Sequence, residues 1–261
     1  MVRRALLLPL LSLALFLAAP SARAQVNVEA LRSDLDAHPV FFAVQASFAG
    51  HVGNTEGAEA IGAAFAGATF GRHLMFVKGQ GDYAEYSGKP SIAKAFGHAR
   101  YNFRVLPFLY GEAFVQIEEN QFQRLALRQV DGIGARFGLV QLRNVQLFYG
   151  TAWMLDYERL SDTDAPLGTI VGPHWFAQRW SNYLAVGWKL NERARLTDAF
   201  YLQPRVNGFA DFRLLNDASF VMDIDKRFSA KVDCQVHYNS TAPSRVLPLD
   251  VDTLTSLVIT L

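Results

Sequence analysis

The chain has 261 residues, of which 51% are hydrophobic and 13% aromatic, with 25 basic and 24 acidic side chains. That near-neutral balance leaves no basic footprint for nucleic acid and no strong field of one sign for steering ligands. The single cysteine, Cys234, excludes an internal disulfide.

The chain opens with the three regions of a secretory signal. Arg3 and Arg4 precede an apolar run over 5–19, and the small-x-small pattern Ala22-Arg23-Ala24 follows. The run is shorter than the roughly 20 residues of a membrane-spanning helix, so cleavage after Ala24 is expected. Cleavage removes three arginines and no acids, turning 25 basic and 24 acidic residues into 22 and 24. Beyond this signal no segment offers the ~18 uninterrupted apolar residues of a spanning helix, so a helical membrane protein is excluded. Residues 25–39 form a short N-terminal periplasmic segment in this reading, with helical spacing in Val28, Leu31 and Leu35.

After His38-Pro39 the hydrophobic period changes to two, which is the spacing of half-buried strands. Met75, Val77, Gly79, Gly81 and Tyr83 alternate with Lys78, Gln80 and Asp82, and Leu109, Gly111, Ala113, Val115 and Ile117 alternate with Phe108, Tyr110, Glu112, Phe114, Gln116 and Glu118. Runs between turn signals predict strands at 40–49, 59–70, 74–86, 92–103, 108–120, 124–140, 145–160, 174–189, 194–206, 211–223, 228–240 and 251–261. Tight connections, each with a basic residue, alternate with connections that are often longer, such as 50–57, 161–173 and 241–250. Short periplasmic turns opposite long outer loops are a mark of transmembrane barrels. The expected fold is therefore all-β: a transmembrane antiparallel up-and-down β-barrel of about twelve strands over 40–261.

Aromatics gather toward strand ends, as at Tyr83 and Tyr86, Trp153 and Tyr157, Trp175 and Phe176, and Trp188, the pattern of interfacial girdles. The second strand carries Ala60, Gly62, Ala64, Ala66 and Ala68 outward. In hydrocarbon an unpaired strand edge has no water to satisfy it, so the first strand should pair with the last. That last strand sets Val251, Thr253, Thr255, Leu257, Ile259 and Leu261 on one face, similar to the terminal signal read by the barrel-assembly machinery. Within Val232-Asp233-Cys234-Gln235-Val236 the thiol falls on the apolar face and reads as a small hydrophobe.

Several features together resemble a known family of bacterial outer-membrane proteins, domain of unknown function 481, often labelled salt-induced outer membrane proteins. They are Asn27-Val28-Glu29-Ala30-Leu31-Arg32, Gly53-Asn54-Thr55, Gly132 with Gly134, Tyr238-Asn239, Pro243 and Asp252-Thr253. The resemblance implies an outer-membrane barrel with a link to salt or acid stress, and it brings no catalytic residues.

Chemistry is sparse. In His237-Tyr238-Asn239-Ser240, His237 and Asn239 share the inner face while Ser240 faces away, so a nucleophile and its base do not meet. The six histidines show no metal-ligand spacing, and the acid pairs Asp162/Asp164 and Asp250/Asp252 are weak calcium candidates. No cofactor is expected. The inward face carries both signs of charge, and the candidate lumen-lining residues are Lys78, Asp82, Arg100, Glu112, Glu118, Arg136, Arg179, Lys231, Asp233 and His237. Such a lining can hold a narrow aqueous path or knit into a plug. The expectation is a monomeric barrel of the bacterial cell outer membrane, surrounded by its lipids and inserted by the assembly machinery. A narrow pore for small solutes comes first, a non-conducting structural or stress-response barrel second, and an outer-membrane lipid hydrolase third.

Overall fold

In a computed structural model, the described residues are 39–51, 57–86, 89–120, 124–160, 174–242 and 246–260. The signal, the N-terminal segment and the loop carrying Asp162 and Asp164 lie outside them. Twelve strands follow in order: β1 (Val40–His51), β2 (Gly57–Phe70), β3 (His73–Tyr86), β4 (Lys89–Leu106), β5 (Leu109–Asn120), β6 (Leu125–Gln141), β7 (Val145–Leu160), β8 (His174–Lys189), β9 (Ala194–Arg205), β10 (Gly208–Asp223), β11 (Phe228–Asn239) and β12 (Leu249–Thr260). Each pairs antiparallel with its sequence neighbours, and β1 pairs with β12 to close the barrel.

The alternation seen in the sequence is the reason for this closure. On β3, Met75, Val77 and Tyr83 stand exposed on the outward face while Phe76, Lys78 and Asp82 are buried inward. The same two-residue period sets Val115 and Ile117 outside and Gln116 and Glu118 inside on β5. Cys234 is exposed, on the outward face with Val232.

Five tight turns gather at one end, between β2 and β3, β4 and β5, β6 and β7, β8 and β9, and β10 and β11. Gly71 sits at φ 61°, the left-handed conformation that glycine adopts without a side-chain clash. Two of these turns are held by side-chain acceptors. Asn191 Oδ1 accepts from the backbone N–H of Arg193 and Ala194, each at 2.8 Å. Asp225 Oδ1 accepts from those of Arg227 at 2.7 Å and Phe228 at 2.8 Å. These two donors hold the Asp225 carboxyl below its ordinary range.

At the opposite end the expected sorting of loop lengths is incomplete. β9 and β10 are joined by Val206 and Asn207 alone, and β4 begins at Lys89 rather than near 92. The β9–β10 ladder is irregular between Gly208 and Phe212, beside Pro204, whose ring nitrogen has no hydrogen to donate. Neighbouring side chains replace the lost bonds. Arg179 Nη1 donates to the Gln203 carbonyl at 3.2 Å, and the Phe212 N–H donates to Ser240 Oγ at 2.8 Å.

Exposed aromatics mark the tight-turn rim with Phe70, Phe108 and Trp188, and the other end with Tyr83, Phe176 and Phe209. Trp153 departs from the girdle pattern: it faces Trp180 in register at mid-wall, where Trp180 Nε1 donates to Thr151 Oγ1 at 2.7 Å. The threonine hydroxyl satisfies the Trp180 indole N–H, so that ring need not sit at an interface.

Candidate functional site

Inward side chains from all twelve strands are buried, although they face what would be the bore of the barrel. Among the described residues the buried charged set holds eight cations (Lys78, Lys94, Arg100, Arg128, Arg136, Arg179, Arg213, Lys231) and eight acids (Asp82, Glu112, Glu118, Asp156, Glu158, Asp217, Asp233, Asp252). Equal numbers of each sign are what a self-neutralising filling requires, because a buried charge is tolerable only when it is paired.

In the half away from the tight turns, four arginines converge on acids of β7 and β10. Asp156 accepts from Arg128 Nε at 3.1 Å, Arg179 Nε at 3.0 Å and Arg213 Nη1 at 2.7 Å. Glu158 takes Arg213 Nη2 at 2.5 Å, Asp211 takes Arg179 Nη2 at 3.0 Å, and Arg205 lies 3.6 Å from Asp211. Arg213 on β10 thus reaches acids on β7, three strands away around the wall. Only a narrow bore permits this.

A second knot fills the middle. Tyr183 on β8 donates its hydroxyl to Glu112 on β5 at 2.6 Å and accepts from Arg136 Nη1 at 3.2 Å. Asn102 donates to Glu112 at 2.7 Å, and Arg100 lies 3.8 Å from it. Arg136 also lies over the Phe148 ring, 3.8 Å from its centroid, a cation–π contact. Glycines create the space: a Cβ on Gly150 would stand 2.0 Å from the Tyr183 ring, and one on Gly132 2.2 Å from the Phe114 ring. Gly134 permits a backbone approach, since its Cβ would meet the Thr151 carbonyl at 2.1 Å.

On the remaining arc Lys231 bridges Asp233 at 2.9 Å, and Asp233 also accepts a short hydrogen bond from Ser219. Lys78 on β3 lies in the field of Lys231, Asp233 and Asp217 on the facing strands. Toward the tight turns the filling becomes apolar, with Phe41, Ala43, Phe65 and Phe76 in one cluster and Phe148, Ala185, Ala199, Tyr201 and Leu215 in another, which also includes Tyr183.

All ten candidate lumen-lining residues fall inside, none more than 9% exposed. Arg100, Glu112 and Arg136 meet in the middle knot and Arg179 joins the arginine cluster. Lys231 and Asp233 pair, Glu118 lies 3.8 Å from Arg128, and Asp82 accepts from Gln80 at 3.0 Å. His237 lines a cavity of about 70 Å³ at the mouth, together with Arg128, Glu158, Arg213 and Asp250. The sequence reading missed the centre of the site: Asp156, Glu158, Arg128, Arg213 and Tyr183. Their positions had the right parity on their strands, and inward counting from Met154 or Leu215 would have found them.

Ser240 has a structural engagement: besides accepting from Phe212, its hydroxyl donates to the Ala210 carbonyl at 3.0 Å. Among the described residues no group of three or more His, Cys, Asp or Glu converges as a metal site.

A closed antiparallel barrel with an apolar outside and a polar inside has the architecture of outer-membrane β-barrel proteins. The chain belongs to the family described as Protein of unknown function, DUF481, whose model matches residues 44–261. Among solved structures it is similar to the NanC porin, at 8% identity over 84% of this chain and 98% of that one, with a TM-score of 0.50. The translocator domain of autotransporter NalP from Neisseria meningitidis follows at 11% identity, over 89% of this chain and 92% of that one, with a TM-score of 0.48. The KdgM porin matches at 8% identity over 85% and 96%, with a TM-score of 0.39. Likeness at such identities is one of fold. No curated protein matches the chain.

Proposed function

We propose that this protein is exported by its N-terminal signal, inserted as a monomer into the bacterial outer membrane, and serves there as a non-conducting structural barrel of the envelope's stress response. The observation that carries this reading is the filled bore: charged side chains of both signs, contributed by strands around the wall, are buried against one another with Asp156, Glu112 and Arg136 at their centres. Of the two readings that a mixed-charge lining leaves open, this packing favours the closed lumen over the narrow pore. A solute path needs side chains that water reaches. The engagement of Ser240 with β10 supports a role without lipid hydrolysis, since its hydroxyl proton is already donated.

Vesicle swelling tests the reading. Folded full-length protein in phospholipid vesicles should leave them as impermeable to glycerol and arabinose as protein-free vesicles. Swelling that scales with protein content would sink it.

A further inference from the structure

The outer surface of β2–β5 is furrowed on the half of the barrel nearer the tight turns. Ala66 and Ala68 on β2, Ala99 on β4 and Ala113 on β5 stand low beside Met75 and Tyr101, and together they border a groove of about 690 Å³. That volume falls in the roughly 300–1,000 Å³ range of ligand sites. Farther from the turns the low relief continues. Ala64, Gly79 and Gly97 are cross-strand neighbours, as are Gly62, Gly81 and Ala95 in the next row. A Cβ added to any of these four glycines would meet nothing within 4 Å. Glycine weakens a strand interior, and it is found where a ligand approaches the backbone closely.

The rim beside the groove is cationic. Arg72 in the β2–β3 turn and Arg104 near the end of β4 are neighbours, because the Arg104 N–H donates to the Arg72 carbonyl at 2.8 Å. Both are exposed, and among the described residues neither is paired with a carboxylate. No acid occurs in sequence between Glu59 and Asp82, or between Glu85 and Glu112, and Glu112 is buried in the middle knot. Met75 and Tyr101 stand three residues from these arginines, about 10 Å along the strands. A 2.7 Å hydrogen bond between the Tyr101 hydroxyl and His73 Nδ1 holds the tyrosine at the groove's edge.

One kind of molecule matches both features. A furrow facing lipid takes an acyl chain, and the forked donors of arginine suit a phosphate. A zwitterion's ammonium would find no carboxylate at this rim, so a head group of net negative charge fits better. A second copy of the chain is the rival occupant. Two barrels inserted the same way up are related by an axis along the membrane normal. Docking through the groove would therefore set Arg72 and Arg104 of both copies at one level, like charge against like.

We propose that this groove is a site for an anionic glycerophospholipid of the leaflet on the tight-turn side. Its phosphate rests on Arg72 and Arg104, and one acyl chain lies along the furrow over β2–β5. The inference rests on the proposed residence in the outer membrane, and not on the absence of conduction.

Full-length protein carrying Cys234→Ser is given one fluorescent cysteine at a time: Ala99→Cys or Ala113→Cys in the groove, or Leu184→Cys on the exposed outer face of β8. Each variant is first shown to keep the heat-dependent gel mobility of a folded barrel. The vesicles are phosphatidylcholine with a minor share of phosphatidylglycerol or phosphatidylcholine spin-labelled on the acyl chain. Labelled phosphatidylglycerol should quench both groove positions several-fold more than labelled phosphatidylcholine, while the two lipids quench Leu184→Cys alike. Adding Arg72→Gln with Arg104→Gln should erase the difference in the groove and leave Leu184→Cys unchanged. Equal quenching of the groove by both lipids, or a preference that survives the double replacement, would overturn the site. So would groove positions shielded from both lipids and cross-linked between copies, which would make a second copy the occupant. Fluorescence retained at all three positions would overturn membrane residence itself and the site with it.

Discussion

Arg213 holds two carboxylates at once, Asp156 at 2.7 Å and Glu158 at 2.5 Å, and all three side chains are buried inside the barrel. Removing one partner of a buried ionic group leaves the others uncompensated, at a cost of about 3–5 kcal/mol. Arg213→Ala should therefore lose about that much in urea unfolding from detergent, whereas Arg195→Ala, whose bridge to Asp223 is half-buried, should lose far less. Gly150→Ala tests the middle knot. The added methyl would overlap the Tyr183 ring and drive its hydroxyl from Glu112, costing about 1–3 kcal/mol by overpacking. Tyr183→Phe should remove the hydrogen bond but keep the ring, so combining it with Gly150→Ala should show strong non-additivity. The inward parity of Lys78, Glu112 and Arg136 was readable because neighbours two apart repeat the pattern. Their partners were not, because a bond from Tyr183 to Glu112 spans three strands and depends on a missing side chain at Gly150. Periodicity along one strand carries no information about reach across the lumen.

At the scale of elements, the twelve strands were legible wherever alternation is clean, as along β3 and β5. Boundaries slipped where something other than alternation set them. β10 begins at Gly208 rather than 211 because Ser240 and Arg179 supply the bonds that the Pro204 irregularity removes. Side-chain rescue by residues 24 and 28 positions away has no local signature. The turn at Asp225 gives a pH-dependent prediction. Its carboxyl is held below its ordinary range by the N–H groups of Arg227 and Phe228. Its contribution is therefore fully present above the unfolded value of about 4 and is lost as pH falls through the lower folded value. Amide exchange at Arg227 and Phe228 should be slow at neutral pH and accelerate, after correction for intrinsic rates, in acid. Asp225→Ala should abolish that step at every pH, and Asp225→Asn should keep protection with no acid step, since its amide oxygen still accepts.

For the whole molecule, a sequence in the DUF481 family folds as a twelve-stranded closed barrel whose described inward side chains bury equal numbers of cations and acids. Strand count alone places such a barrel between side-chain-filled and open classes; the decision lies in how far the inward side chains extend. Here long arginines and aromatics meet across the bore, and the apolar clusters around Phe65 and Tyr201 close the end nearer the tight turns. The measurement that bears most directly on this account is the current carried by the folded full-length protein in a planar lipid bilayer. Silence from the wild type, with conductance appearing once Arg213 and Tyr183 are both replaced by serine in protein that still migrates as a folded barrel, is the predicted result. Discrete steps from the wild type, with an ion selectivity that changes on Arg136→Gln, would contradict it and make the lumen a pore.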